Sequence, residues 1–238
     1  MVFWVTKVLT TGMGETTSDF LAHALGPIPA VGLGFVVFAG ALALQFAMRR
    51  YVAWVYWLAV VMVSVFGTMA ADVAHVGLGV PYAVSTCVFL VVLIAIFALW
   101  YRVERTLSIH SITSRRRELF YWATVLATFA LGTAAGDWTA RGVGLGYLGS
   151  GVMFAVIIAV PAVAHRTLRL PAVPAFWFAY VVTRPLGASF ADWMAVPHSA
   201  GGLNLGLGPT TLSWTAAILA FVAYLAVSRP DVGQPVQA

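Results

Sequence analysis

Four short stretches decide how this chain is read: GETTSD at residues 14–19, GTMAAD at 67–72, GTAAGD at 132–137 and GASFAD at 187–192. Each begins with a glycine and ends, five residues later, on an aspartate: Asp19, Asp72, Asp137 and Asp192. Fifteen residues before each aspartate stands a tryptophan, Trp4, Trp57, Trp122 or Trp177, and each tryptophan follows another aromatic residue, Phe3, Tyr56, Tyr121 or Phe176. The residue before each aspartate is small: Ser18, Ala71, Gly136 or Ala191. With nine Trp and 22 Gly in 238 residues, coincidence of both types at fixed offsets in four places is not a product of chance. The chain reads as four copies of one unit, and every local motif has to be interpreted inside that repeat.

Composition names the solvent. Hydrophobic residues make up 61% of the chain and charged residues only 9%, and the mean hydropathy is +0.93. A soluble domain carries about 25% charge, so this much apolar surface calls for a bilayer. The apolar runs predict eight membrane spans, near residues 3–24, 28–48, 52–76, 80–101, 119–141, 146–165, 174–196 and 209–228, each close to the roughly 20 residues that cross the hydrocarbon core. Gly and Pro mark the reversals at Gly26-Pro27, Gly77 to Gly79, Gly142 to Gly144 and Gly206 to Pro209. Residues 1–10 lack the basic, apolar and small-residue order of a removable signal peptide.

The expected fold is an all-α integral membrane protein, one domain over residues 1–238. It is built of four parallel two-helix hairpins in pseudo-fourfold, or twice pseudo-twofold, arrangement. The repeats cover residues 1–50, 51–102, 118–169 and 172–229, with a basic loop at 103–117. Arg49, Arg102 and Arg166 follow their aspartates by 30, 30 and 29 residues, and Arg229 follows Asp192 by 37, which places an insertion near 197–205 in the fourth copy. Together with Arg50, Arg105, Arg115 to Arg117 and Arg169 these cations recur after every second span. By the positive-inside rule those loops and both termini are cytoplasmic. The formal charge of +5 is therefore topological, and no nucleic acid is expected as a partner. The expected surroundings are a lipid bilayer, with a cation or a proton as substrate and a homo-oligomer as a further possibility. Cys87 is the sole cysteine, so neither an intrachain disulfide nor a cysteine metal cluster can form, and no cofactor is expected.

The tryptophans read as an aromatic belt at the inner interface. Fifteen residues at about 1.5 Å each then place the aspartates roughly 22 Å higher, at one shared depth in the outer half of the slab. Gly14 with Ser18, Gly67 with Ala71, Gly132 with Gly136 and Gly187 with Ala191 form small-xxx-small pairs that let backbones approach. One turn before each aspartate lies Glu15, Thr68, Thr133 or Ala188. Glu15 with Asp19 makes a paired-carboxylate face, and Thr68 and Thr133 put a hydroxyl beneath Asp72 and Asp137. Tyr82, Ser85, Thr86, Tyr147, Ser150, Thr210, Thr211 and Ser213 add oxygens from the returning helices.

Intramembrane acids are costly and mark ion or proton paths. Asp19, Asp72, Asp137, Asp192 and Glu15 are thus the candidate cation-binding or proton-exchanging groups, with Thr68, Thr133, Arg184, His23 and His75 in support. Arg184, directly before Pro185 where a kink is expected, neutralises one carboxylate. Lys7 and Arg141 are expected to snorkel toward the two faces, and neither Asp72 nor Asp137 to have a basic partner on its own helix. Hard oxygen ligands suit Mg²⁺, Mn²⁺ or Ca²⁺ as well as Na⁺ or a proton, with Asp72 and Asp137 as the metal pair.

The stretch Phe3-Trp4-Val5-Thr6-Lys7 through Gly14-Glu15-Thr16-Thr17-Ser18-Asp19-Phe20, with its later Gly-Thr-x-Ala-x-Asp copies, resembles a bacterial family described as uncharacterised membrane-anchored proteins. That resemblance covers nearly the whole chain and implies a fold and a bacterial source, with no activity attached. On the residues alone, the first reading is a cation transporter. The others are a cation channel with a four-aspartate ring and a non-transporting scaffold or sensor. An enzyme is not expected, because no nucleophile stands at a fixed spacing from a base.

Overall fold

The computed structural model describes residues 2–48 and 50–228. Arg49 and Arg229, two of the cations in the topological pattern, lie outside the described residues, as does the rest of the segment after Ser228. Among the described residues the structure is helical, without a strand. Its α-helices are α1 (Val2–Leu25), α2 (Pro27–Ala47), α3 (Ala53–Asp72), α4 (Tyr82–Glu104), α5 (Arg115–Asp137), α6 (Gly146–Ile157), α7 (Ala159–Thr167), α8 (Ala172–Ala195) and α9 (Leu207–Ser228). The expected span at 146–165 is divided into α6 and α7 at Ile158. Pro161 has no N–H to give the Ile157 carbonyl, and the ladder is interrupted there.

Six helical segments are long and apolar enough to cross a membrane: Pro27–Ala47, Ala53–His75, Tyr82–Glu104, Arg115–Gly142, Gly146–Thr167 and Leu207–Ser228. The two long helices outside that set are α1, which carries Lys7, Glu15 and Asp19, and α8, which carries Arg184 and Asp192. Both are as long as the others, at 24 residues. Their charge lowers their hydropathy, and the packing explains how it is tolerated.

The first helices of the four copies close an inner ring in which α1 packs on α3, α3 on α5, α5 on α8, and α8 on α1. They run in one direction. Their N-terminal aromatics meet at one end, where Phe3 lies 5.6 Å from Trp57 and Tyr121 lies 6.2 Å from Trp177 between ring centroids. The repeat glycines fix the spacing. A Cβ on Gly14 would strike Ser64; one on Gly67 would come within 2.6 Å of the Phe129 Cβ; one on Gly132 would strike Arg184; and one on Gly187 would strike Thr11. Each of those neighbours stands eight residues before the aspartate of the next copy. The same glycine-to-neighbour contact therefore recurs around the ring and returns to its start.

The returning helices form an outer layer by a rule that the hairpin reading did not anticipate. Instead of packing chiefly on the helix that precedes it, each lies on the first helix of the following copy: α2 on α3, α4 on α5, α6 on α8, and α9 back on α1. The hairpin is thus a unit of sequence and not of packing. Sequence spacing could not reveal this, because a connection of a few residues allows its helix to lean either way. The exposed faces of α2, α4 and α9, with Val36, Val91 and Leu219 among them, are apolar.

One expectation about the aromatics is corrected here. Trp57, Trp122 and Trp177 do not face outward as a belt; they are buried and pack with Phe3, Tyr56, Tyr121, Phe176 and Tyr180 into a cluster that caps the ring. With two aromatics side by side at the start of each inner helix, four pairs converge on one another: tilted contacts such as Tyr121 on Trp177, 52° between planes, join neighbouring pairs, and Trp100 of α4 packs edge-on against Trp177 at 77°.

Candidate functional site

Viewed from the aromatic cap, the ring is filled by successive levels four residues apart, about 6 Å of helix rise each. The first holds Lys7, Val60, Val125 and Tyr180, and the second Thr11, Ser64, Phe129 and Arg184; all eight are buried. The third holds Glu15, Thr68, Thr133 and Ala188, also buried, and the fourth holds the aspartates, of which Asp137 and Asp192 are buried and Asp19 and Asp72 partly exposed.

Arg184 joins these levels. Its Nη2 donates to Glu15 Oε2 at 2.5 Å, to Thr133 Oγ1 at 2.6 Å and to Thr68 Oγ1, while Nη1 donates to the Thr11 carbonyl at 2.9 Å. Glu15 Oε2 also accepts from Thr68 at 3.3 Å. One guanidinium thus binds side chains from α1, α3 and α5 at once, in a fully buried ion pair. The expected neutralisation of a carboxylate is met at Glu15. Position explains the choice, since the fourth copy has Ala188 where the others have Glu15, Thr68 and Thr133, and that gap leaves room for the long side chain. α8 continues through Pro185 as one α-helix.

Above this layer Ser18 Oγ donates to Asp72 Oδ2 at 3.4 Å, which links α1 to α3. Asp19, Asp72, Asp137 and Asp192 all lie within electrostatic reach of Glu15. The five carboxyls therefore form one acidic neighbourhood at one end of the ring. Among the described residues, however, no three His, Cys, Asp or Glu side chains stand close enough together to hold a metal ion. Asp72 and Asp137 are the last residues of α3 and α5, and each is followed by a π-helical turn, Val73–Gly77 and Trp138–Gly142. Single π turns are rare and gather at functional sites.

Arg141 overturns one expectation. Half exposed at its end of the ring, it lies 3.7 Å from Asp137 Oδ1, one turn along the same helix, so Asp137 does have a basic partner on its own helix. It also donates to Tyr147 Oη at 2.6 Å and to Tyr82 Oη at 3.0 Å, which draws two of the expected oxygen donors into one group. Lys7 does not snorkel. It is fully buried, with Nζ 3.9 Å from the Phe129 ring centroid and 4.3 Å from that of Tyr180, because the aromatic cap closes its way to water and offers ring faces instead.

The remaining candidates separate. His23 is exposed and bonded through Nδ1 to the Asp19 carbonyl at 2.7 Å, a local helix contact. His75 is buried, with Nδ1 on Ser85 Oγ at 3.2 Å and its ring 4.5 Å from Tyr82. Thr211 donates to Thr16 at 2.8 Å, so α9 contributes to α1, whereas Thr86, Thr210 and Ser213 bond carbonyls of their own helices or caps. Ser150 Oγ is buried without a partner. At the other end, a cavity of about 800 Å³ opens beside the aromatic cap, lined in part by Arg50, Tyr56, His110, Arg115 and Tyr121.

The level-by-level agreement between copies has a counterpart in comparison with known proteins. A family model described as Repeat of Unknown Function (DUF347) matches the chain four times, at residues 2–51, 55–106, 120–169 and 175–231. No curated protein and no solved structure matches it.

Proposed function

The chain belongs to the Repeat of Unknown Function (DUF347) family, and from a site to which all four repeats contribute we propose a secondary transporter for a cation, seated in the bacterial inner membrane. In this reading α1 and α8 also span the bilayer. The eight spans form four parallel repeats about an axis along the membrane normal, and the arginine-bearing loops and both termini face the cytoplasm. The observation that carries the reading is the ion pair of Arg184 with Glu15 beneath four aspartates. Five carboxyls crowd one end of a ring, and a cation of the protein's own already occupies the deepest of them.

A transported cation takes the place of that guanidinium. It enters past the partly exposed Asp19 and Asp72, loses water in exchange for carboxylate oxygens, and competes with Arg184 for Glu15. Thr68 and Thr133, now bonded to Arg184, become available as further oxygens. Among the described residues no three such ligands cluster, which favours a proton or Na⁺, or a metal that keeps part of its water, over a fully dehydrated Mn²⁺. The filled levels around Phe129 and Arg184 favour an occluded transporter over a channel, whose axis has to admit a file of ions.

Flux measured in proteoliposomes across a panel of Na⁺, Mg²⁺, Ca²⁺ and Mn²⁺ tests this. Saturable flux of at least one cation is expected. It should fall as pH falls, because a protonated carboxyl neither attracts nor binds the ion. Unitary current steps would move the protein to the channel class, and no flux of any cation at any pH would leave a scaffold or sensor.

A further inference from the structure

The cavity at the aromatic end of the ring takes no part in the cation site. Phe3, Tyr56, Tyr121 and Phe176 all line it, and these are the aromatic residues that precede the tryptophans of the four copies. A cavity touched by all four inner helices lies across the end of the ring, with the aromatic cap as its floor. The rings of that floor are arranged in two pairs. Phe3 and Phe176 have ring centroids 6.4 Å apart, and Tyr56 and Tyr121 stack at 6.5 Å with 28° between planes. The Tyr56 and Tyr121 hydroxyls, 2.6 Å apart, put a polar spot among the rings.

Two connections wall the cavity: Arg50 comes from the link between α2 and α3, His110 and Thr113 from the segment that leads into α5, and Arg115 and Glu118 from the first turn of α5. Ring faces alone would suit a cation as well as a planar molecule. The charges decide between them. Glu118, the acid of the lining, already accepts from Gln45 Nε2 at 3.0 Å and lies 3.5 Å from Arg115 Nη1. Arg50 is exposed, and among the described residues neither it nor His110 makes an ion pair. Ser114 and Arg115, the cap and first residue of the 23-residue α5, also line the cavity, so the positive end of that helix adds to the same side. Walls with an excess of positive charge thus stand around a floor of ring faces. The volume of about 800 Å³ lies within the roughly 300–1,000 Å³ of sites that enclose small molecules, which combine apolar walls with a few polar groups in this way.

We propose that this cavity is a second binding site, for a small soluble anion with a planar aromatic body. The planar ring lies against the floor of Phe3, Tyr56, Tyr121 and Phe176, and the anionic group pairs with Arg50 and Arg115 at the wall. The outer layer of helices stands between that floor and lipid, which favours a molecule dissolved in water over the headgroup of a lipid. This site and the carboxyls lie at opposite ends of the ring, and the inference does not depend on the cation-transport reading.

Calorimetric titration of the full chain in a neutral detergent with phenyl phosphate tests this, in wild type, Arg50→Gln and Thr113→Trp. Both substituted residues are exposed, so the unfolding midpoint should stay at the wild-type value while the site changes. Wild type should bind phenyl phosphate saturably. Cyclohexyl phosphate, which has the charge without the planar ring, should bind about fivefold more weakly. Benzylamine, which has the ring with a positive charge, should not bind. Arg50→Gln should weaken phenyl phosphate about tenfold through loss of a charge-assisted bond, and Thr113→Trp, which fills the cavity from its wall, should abolish binding. No saturable binding in wild type, or binding of benzylamine in preference to phenyl phosphate, would overturn the assignment. Equal affinity for cyclohexyl phosphate would overturn it by removing the role of the aromatic floor, and displacement of phenyl phosphate by phosphatidylglycerol in mixed micelles by making the cavity a lipid-headgroup site. Wild-type affinity in both variants would overturn it by placing the bound molecule elsewhere. Each of these results leaves the cation-transport reading where it stands.

Discussion

Arg184 concentrates the physics of the site into one side chain. Removing one partner of a buried pair leaves the other as an uncompensated charge, a loss of about 3–5 kcal/mol. Arg184→Met should therefore lower the unfolding midpoint of the detergent-solubilised protein clearly, and Glu15→Gln in the same background should recover part of it. If the double variant is no more stable than Arg184→Met alone, the two groups are not a pair. For transport, Asp72→Asn and Asp137→Asn keep the shape of the side chain and remove its charge. Each should abolish cation flux in proteoliposomes while membrane abundance stays at the wild-type level, and wild-type rates and pH dependence in both would leave these acids as interfacial groups. The acids and their threonines were legible in the sequence because they recur at fixed offsets. The fates of Lys7 and Arg141 were not, because one copy alone carries each of them, and a single helix does not say which neighbour its side chain meets.

Among the helices, glycines do for the ring what leucines do in a soluble coiled coil: they set how close the backbones come. Gly67→Leu and Gly132→Leu should each destabilise the protein by more than the roughly 1–3 kcal/mol usual for overpacking. The new side chain meets the start of Phe129 in one case and Arg184 with Pro185 in the other, and these are not flexible tips that can swing aside. Thermal unfolding in detergent measures this, and unchanged midpoints for both would mean that the inner helices are less closely packed than described. The small-residue stripes could be read in advance from their four-residue spacing. That Gly132 would meet an arginine could not, since the contact pairs residues 52 positions apart on different helices.

For the molecule as a whole, the order of packing is circular although the chain is linear. α9 lies on α1 just as α2 lies on α3, α4 on α5 and α6 on α8. A permutant that joins the segment after Ser228 to the start of α1 by a flexible linker, and opens the chain in the loop at 105–114, should insert and give a monodisperse particle. Its cut falls between α4 and the α5 it packs on, so those helices should still pair, and the two halves expressed as separate chains should co-purify. Size-exclusion elution and heat stability check it; aggregation of the permutant together with failure of the halves to co-purify would show that the fold depends on the covalent connection at 105–114 and that the circular packing order does not suffice. A reporter fused after Arg117 should score as cytoplasmic, in line with the topology proposed from the arginines. The four copies could be counted from sequence by Trp, Gly and Asp alone. The hand-over of each returning helix to the next copy could not, because it depends on the direction in which short connections lean.

The hand-over bears on what covalent linkage adds to such a design. A lone hairpin has nothing to lay its second helix on except another hairpin, so four identical, separate copies would already satisfy the geometry as a symmetric tetramer. Symmetry would then decide the chemistry: whatever side chain stood where Arg184 stands would stand there four times, and four guanidiniums would meet around one axis with no carboxylate below them unless four of those were supplied as well. Fusing the copies into one polypeptide lifts that constraint. A single arginine can face a threonine, a serine and a phenylalanine at its own level, and a single lysine can sit beside two valines and a tyrosine, so that charge is placed on the axis one group at a time.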